Sequence, residues 1–218
     1  MDMFGKSYYG LLLTTLLAIT GCRAPSYFIS ANNVVKTAVT MQLLDGTSRQ
    51  GLVNIALETN YYPSGYITIE QNGREDKLPL SNIRSYVYAG NTYVLKSIVL
   101  DYDVPERMLF VKRLTGANSK IHLYELFQGR QQRDDAVDLY MYFIELPQFS
   151  STEAWGLGNK NLNPKFNEKM STLVADCPAL ASKILQQENG YSFSQFTLSN
   201  TTKKDVLLKI IEAYNGCR

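Results

Sequence analysis

The sequence predicts an α+β protein: an N-terminal antiparallel β meander, arranged as a barrel or sandwich, followed by a small C-terminal helical segment. Three observations predict it. From about Val34 to Leu146 the chain runs in short stretches of alternating β-branched and aromatic residues separated by turn residues, the pattern of half-buried strands. Asn72-Gly73 sits between two such stretches and suits a type I′ hairpin turn, whose two central residues both need positive φ. From Phe166 onward the apolar residues recur at helical rather than alternating spacing.

Taken in order, Thr37, Val39, Met41 and Leu43 alternate with Ala38, Thr40 and Gln42, and Asp45-Gly46 turns the chain into Leu52-Val-Asn-Ile-Ala-Leu57 as a hairpin. Tyr66 to Glu70 and the polar run ending at Leu80 form the next hairpin, around Asn72-Gly73. Further strands are expected at Arg84 to Ala89, Tyr93 to Leu100, Met108 to Leu114, Lys120 to Phe127 and Asp138 to Leu146, with Gly90-Asn91 and Gly116 to Ser119 as turns. A membrane-spanning barrel is disfavoured, because such strands need a lipid-facing apolar residue at every second position and Lys96, Lys112 and Arg113 break both faces. Pro147 to Pro164 reads as a connector carrying the only tryptophan, Trp155, read as a plug between the two halves. Phe166, Met170, Leu173, Val174 and Cys177 then mark one helix face, Pro178 opens a second helix, and Thr202-Lys-Lys-Asp205 has the form of a capping box before the stripe Val206, Leu207, Ile210, Ile211 and Tyr214.

With 218 residues, 45% hydrophobic and 19% charged, the chain is globular in composition. Its net charge of +2 provides no broad positive field, so nucleic acid is not an expected partner.

The N-terminus is the most specific part. Lys6 precedes the apolar stretch Gly10 to Ile19, which is too short to span a bilayer and reads as a secretory signal. Ile19-Thr20-Gly21-Cys22 then resembles the lipobox of bacterial lipoproteins, so residues 1–21 are expected to be a signal peptide and Cys22 the lipid-bearing first residue of the mature protein. Asp2 departs from the usual basic start. Cys22 is followed by Arg23 rather than by the aspartate linked to inner-membrane retention, which favours an outer-membrane destination in the cell envelope. The division expected is signal peptide 1–21, tether 22–33, β domain 34–146, connector 147–163 and helical segment 164–218.

With Cys22 lipidated, Cys177 and Cys217 remain. Each falls on the apolar stripe of its own helix in a protein sent to an oxidising compartment, and a disulfide between them is favoured over two buried free thiols. His122 is the only histidine, which excludes multi-histidine zinc sites and leaves a single choice of imidazole base. On its strand it alternates with Tyr124 and Leu126. Glu58, Glu70, Asp101, Asp103, Glu125, Asp134, Asp135 and Glu145 could supply a carboxylate pair, but sequence gives no distances between them. No motif identifies a catalytic residue, a metal site or a cofactor, and none is expected. Tyr61, Tyr62, Tyr86, Tyr88, Tyr140 and Tyr142 could form a stacking surface, although strand packing alone accounts for them.

Leu109 to Leu114, Gly116, Ile121-His-Leu-Tyr124, Leu173-Val-Ala-Asp-Cys-Pro178 and the ending Tyr214-Asn-Gly-Cys217 together resemble a group of uncharacterised exported proteins of Bacteroidota, in which a β domain precedes a helical tail closing on Tyr-Asn-x-Cys. The chain departs from that pattern in the spacing of Gly116 from the Leu-Tyr pair. The resemblance implies an envelope location and a β-then-α order, and no reaction. The expectation is a membrane-tethered, non-enzymatic binding or assembly module whose partner is an envelope protein or glycan. The rivals are a hydrolase of glycan or peptide using carboxylates and a purely structural lipoprotein.

Overall fold

The computed structural model describes residues 25–58, 65–98, 107–131, 137–145, 155–156, 165–193 and 200–217. The strands are β1 (Tyr27–Ser30), β2 (Asn33–Leu43), β3 (Ser48–Ala56), β4 (Tyr66–Gln71), β5 (Arg74–Pro79), β6 (Ile83–Tyr88), β7 (Asn91–Ile98), β8 (Arg107–Arg113), β9 (His122–Gln131), β10 (Val137–Glu145) and β11 (Trp155–Gly156). They form one antiparallel sheet in the order β11-β10-β9-β8-β7-β6-β2-β3-β4-β5, with β1 added to β2. The first half of β2 takes β1 as its neighbour and the second half takes β6. Between the halves the register against β3 shifts, and Lys36 there has a φ of 43°, a bulge that bends the strand.

Local chemistry accounts for the turns. Asn72 and Gly73 have φ of 52° and 76° and join β4 to β5 with Gln71 opposite Arg74, as a type I′ turn requires. The β6–β7 turn uses Ala89 and Gly90, at φ 48° and 76°, one residue earlier than Gly90-Asn91, because Tyr88 pairs with Asn91. At Asp45-Gly46 the carboxylate accepts from the Thr47 backbone N–H at 2.8 Å and hydroxyl at 2.7 Å, an Asx turn.

The sheet does not close through backbone ladders among the described residues. Its main core gathers side chains from β2 through β10, including Met41, Ile55, Ile69, Tyr86 and Phe110, so the inner face curls on itself. A side chain makes the junction. Asn32, fully buried between β1 and β2, donates from Nδ2 to the Phe110 carbonyl at 2.9 Å and accepts the Phe110 N–H at 2.7 Å. β8 pairs with β9 only at Lys112 and Arg113, so at Phe110 the amide stands where a neighbouring strand would. Arg107 adds a bond to the Leu57 carbonyl at 2.7 Å.

Consecutive apolar residues are buried in three strands: Leu109, Phe110 and Val111 on β8; Leu123 and Tyr124 on β9; Tyr142, Phe143 and Ile144 on β10. A strand buried on successive residues is covered on both faces. Tyr124, Leu126 and Phe143 belong to the main core, whereas Leu123, Tyr142 and Ile144 pack with the helices. The β9–β10 hairpin is therefore a shared layer between the β core and the helical one.

The helices are α1 (Phe166–Leu173), α2 (Pro178–Leu185) and α3 (Asn200–Gly216). Pro178 opens α2, where its missing N–H costs nothing. Cys177 stands just before Pro178 rather than on the stripe of α1, which ends at Leu173. α3 starts two residues before Thr202, so Thr202 lies within the first turn instead of capping it. The span 22–33, read as a tether, contains β1, whose Tyr-Phe-Ile run has strand propensity that the short length disguised. Within the connector only Trp155-Gly156 is described, as β11 against Phe143 and Ile144. No described helix is long and apolar enough to cross a membrane.

Candidate functional site

The outer face of the sheet around β1 and β3 exposes Tyr27, Ile29 and Leu52 among polar side chains. The strand alternation that sends Val39, Val53 and Ile69 into the core leaves Ala38, Leu52 and Glu70 in one outward row, since Ala38 pairs with Leu52 and Leu52 with Glu70. Small side chains at Ala38 and Thr40 leave the row hollow. The result is a shallow groove of about 590 Å³ lined by Ala38, Thr40, Gln50, Leu52, Glu70 and Val87, continuing into a hollow of about 1130 Å³ bounded by Pro25, Tyr27, Phe28, Lys36, Leu52 and Tyr88. Phe28 stacks on Tyr88 with ring centroids 4.4 Å apart, which holds β1 against the body of the sheet and closes the hollow on its core side with stacked rings. Gly51, behind the groove on the core side, is required by space: a Cβ would stand 2.6 Å from the Glu70 carbonyl oxygen and 2.8 Å from Ile69 Cγ1.

A second constellation surrounds His122. His122 lies opposite Glu145 across the β9–β10 ladder. The Glu145 carboxylate receives Lys96 Nζ on Oε1 at 2.6 Å and the Tyr124 hydroxyl on Oε2 at 2.6 Å, and Lys96 also lies 5.3 Å from the Tyr124 ring centroid. Burial works to raise the Glu145 carboxyl, but the bonds from Lys96 and Tyr124 outweigh it and hold the group below its usual range. Burial, with Arg113 and Lys96 nearby, lowers His122 against the opposing pull of Glu145, and its Nδ1 is buried without a hydrogen-bond partner among the described residues. Both oxygens of the only described carboxylate facing His122 are thus committed to a clamp between β7 and the β9–β10 layer. Glu125 cannot join them. It lies on the opposite face of the hairpin, paired with Tyr142 in the ladder and 3.8 Å from Lys204 of α3.

The remaining candidates disperse. Glu58 accepts from the Ser30 hydroxyl at 2.7 Å, and Glu70 lines the groove. Asp101, Asp103, Asp134, Asp135, Tyr61, Tyr62 and Cys22 lie outside the described residues, as does the side chain of Trp155. Tyr86 and Tyr142 are buried, so neither forms part of an exposed stacking surface. Among the described residues no group of three metal-ligating side chains converges.

Cys177 and Cys217 form a disulfide with Cα atoms 6.0 Å apart. Around it, the Tyr214 hydroxyl donates to the Asp176 carboxylate at 2.7 Å, and burial together with that bond pushes the phenol up to about 12. Asn215 accepts the Lys120 N–H at 2.8 Å and donates to the Ser119 hydroxyl at 3.0 Å, while Lys120 Nζ reaches the Cys217 carbonyl. The Asp-Cys-Pro and Tyr-Asn-x-Cys elements thus meet in one junction that ties the end of α3 to α2 and to the turn before β9.

No protein-family model, curated protein or solved structure matches the chain. The functional reading therefore rests on the groove, the clamp and the N-terminal sequence. Sequence reasoning missed the groove, although a signal was present: Ala38 and Leu52 are apolar at positions whose parity points away from the core.

Proposed function

We propose that the protein is a lipid-anchored module of the cell envelope, carried at the outer membrane by Cys22, that binds a neighbouring envelope component through the outer face of β1 to β4 and catalyses no reaction. The observation that carries this reading is the groove itself, an open, aromatic-walled depression on a sheet face that elsewhere would be polar. Recesses that combine apolar side chains with a few polar ones are where partners bind. The signal-like N-terminus and the likeness to exported Bacteroidota proteins support the envelope address. The His122 cluster supports the non-catalytic reading, because its carboxylate is held ionised between a lysine and a tyrosine rather than poised to exchange a proton.

The experiment is site-specific photocrosslinking in the native host, with the photoreactive residue at Gln50 or Leu52 in the groove and at Leu185 on the exposed side of α2. The expected result is a discrete adduct from the groove positions only, in a protein that leaves the membrane fraction when Cys22 is replaced by Ala. Equal labelling from all positions, or none from the groove in membrane-bound protein, rejects the groove as the contact surface. Retention of the Cys22→Ala protein after carbonate washing rejects the lipid anchor.

A further inference from the structure

We propose that β1 is a membrane-contacting strand: the outer face of β1 and the adjoining part of β2 lies in the headgroup layer of the bilayer to which Cys22 is attached. The inference rests on the reading of Cys22 as the lipidated residue and names the partner of one end of the same surface. Its first support is exposure. Tyr27 and Ile29 are 43% and 59% exposed, and the alternation on β1 places both on the side opposite Phe28, which turns inward to stack on Tyr88. Tyr27 lies opposite Val35 in the ladder, and beyond the Lys36 bulge the same outward side continues through Ala38 to Leu52, itself 36% exposed. An outward strand face with tyrosine, isoleucine, valine, alanine and leucine is a poor match to water and a good one to the interfacial zone, where an aromatic ring sits with its hydroxyl among headgroups.

The second support is reach. Pro25, where the described chain begins, is three residues from Cys22, and three peptide steps span about 11 Å even when fully extended. An acylated cysteine sits at the bilayer surface, so β1 is held within about one headgroup layer of it. A segment this short cannot fold back over a patch that runs from Tyr27 to Leu52, and the bilayer beside it is the occupant proposed. Lys36, exposed at the bulge beside the hollow, has the charge to meet lipid phosphate at the rim. In this arrangement β1 would fix the orientation of the domain, with the groove running upward from the membrane.

The test uses the mature lipoprotein in vesicles of phosphatidylethanolamine and phosphatidylglycerol whose acyl chains carry bromine, a contact quencher of tryptophan. In a Trp155→Phe background, Ile29→Trp and Tyr27→Trp are compared with Leu185→Trp. The expected result is that the two β1 variants lose most of their emission and shift to the blue, whereas the Leu185→Trp protein keeps its emission. Unquenched β1 variants in protein whose N-terminal peptide carries lipid by mass overturn the membrane-contact proposal and leave the anchor intact. Equal quenching at all three positions also overturns it, because the domain then has no fixed orientation. A Cys22 without lipid overturns the anchoring reading and this proposal with it.

Discussion

Replacing Asn32 with Leu, a side chain of similar size without polar atoms, should cost about 2–6 kcal/mol of stability. The figure follows from what the amide satisfies. Asn32 holds both the N–H and the C=O of Phe110, at 2.7 and 2.9 Å, in a fully buried position, and each buried backbone group left unpaired costs about 1–3 kcal/mol. Asn32 cannot be replaced there by β9, which leaves the β8 edge after Lys112. Urea unfolding of the parent and the Asn32→Leu protein, followed by circular dichroism, measures the difference as a shift in midpoint at constant slope. Asn32→Asp adds a control with a sign. Its carboxylate can still accept the Phe110 N–H but faces the Phe110 carbonyl where a donor stood, so burial raises its folded-state pKa above the unfolded value. The penalty is then full at neutral pH and shrinks as pH falls through the folded pKa, where the protonated acid can donate to the carbonyl. An Asn32→Leu protein within about 0.5 kcal/mol of the parent, the range of an ordinary surface change, would refute the view that this amide closes the sheet.

Three further outcomes follow from the same structure. Replacing Cys177 and Cys217 together by Ser should destabilise by about 4 kcal/mol from the entropy of a loop closed over 40 residues, and thiol counting on the denatured, exported parent should find neither cysteine free. Gly51→Ala should lower the urea midpoint, because the new Cβ meets the backbone oxygen of Glu70 as well as the flexible Ile69; an unchanged midpoint would mean that β4 shifts at no cost. His122 is held below its ordinary value of 6.5 by burial and by the nearby Arg113 and Lys96, against Glu145, so the unfolded chain takes its proton first and stability declines as pH falls from 6.5 through the folded value. Glu145, held below its ordinary 4.5, loses its contribution only at more acid pH. His122→Gln should therefore remove the upper part of the acid decline and leave the lower part, as read from unfolding midpoints between neutral and acid pH.

The elements that sequence made legible are those whose signal is local. Asn72-Gly73 needs no neighbour to demand positive φ, and the stripe Val206, Leu207, Ile210, Ile211 and Tyr214 is buried as its spacing predicts. The pairing of Cys177 with Cys217 was legible by inventory, although the helix assigned to Cys177 was not, because α1 ends at Leu173 and Pro178 opens the next helix. What stayed hidden depends on distant partners. Leu109-Phe-Val111 reads as an ordinary strand, and only the packing of β9–β10 over one of its faces shows why no residue of the run is polar. Asn32 sits in a short turn-like stretch where an asparagine is expected for local reasons, so its use by Phe110, 78 residues away, leaves no local trace. The groove was hidden for the converse reason: small apolar residues on an outward face carry no motif.

The distribution of these ties bears on function. The β9–β10 hairpin is covered on one face by the main core and on the other by the helices, and the chain end is fastened at Asp176, at Ser119 and Lys120, and at Cys177. Removing the helices would expose Ile121, Leu123, Tyr142 and Ile144 on a hairpin that is half of the clamp with Lys96, so the helical segment is a supporting layer for β9–β10 rather than a separable domain. By contrast, among the described residues the outer row Ala38, Leu52 and Glu70 borders the hollow, and the strand beside it exposes Tyr27 and Ile29. Rigidity is thus concentrated around β9–β10, and exposed apolar side chains around β1 and β3. In the membrane placement proposed above, a body fastened in this way presents a preformed face, which lowers the entropic cost of binding.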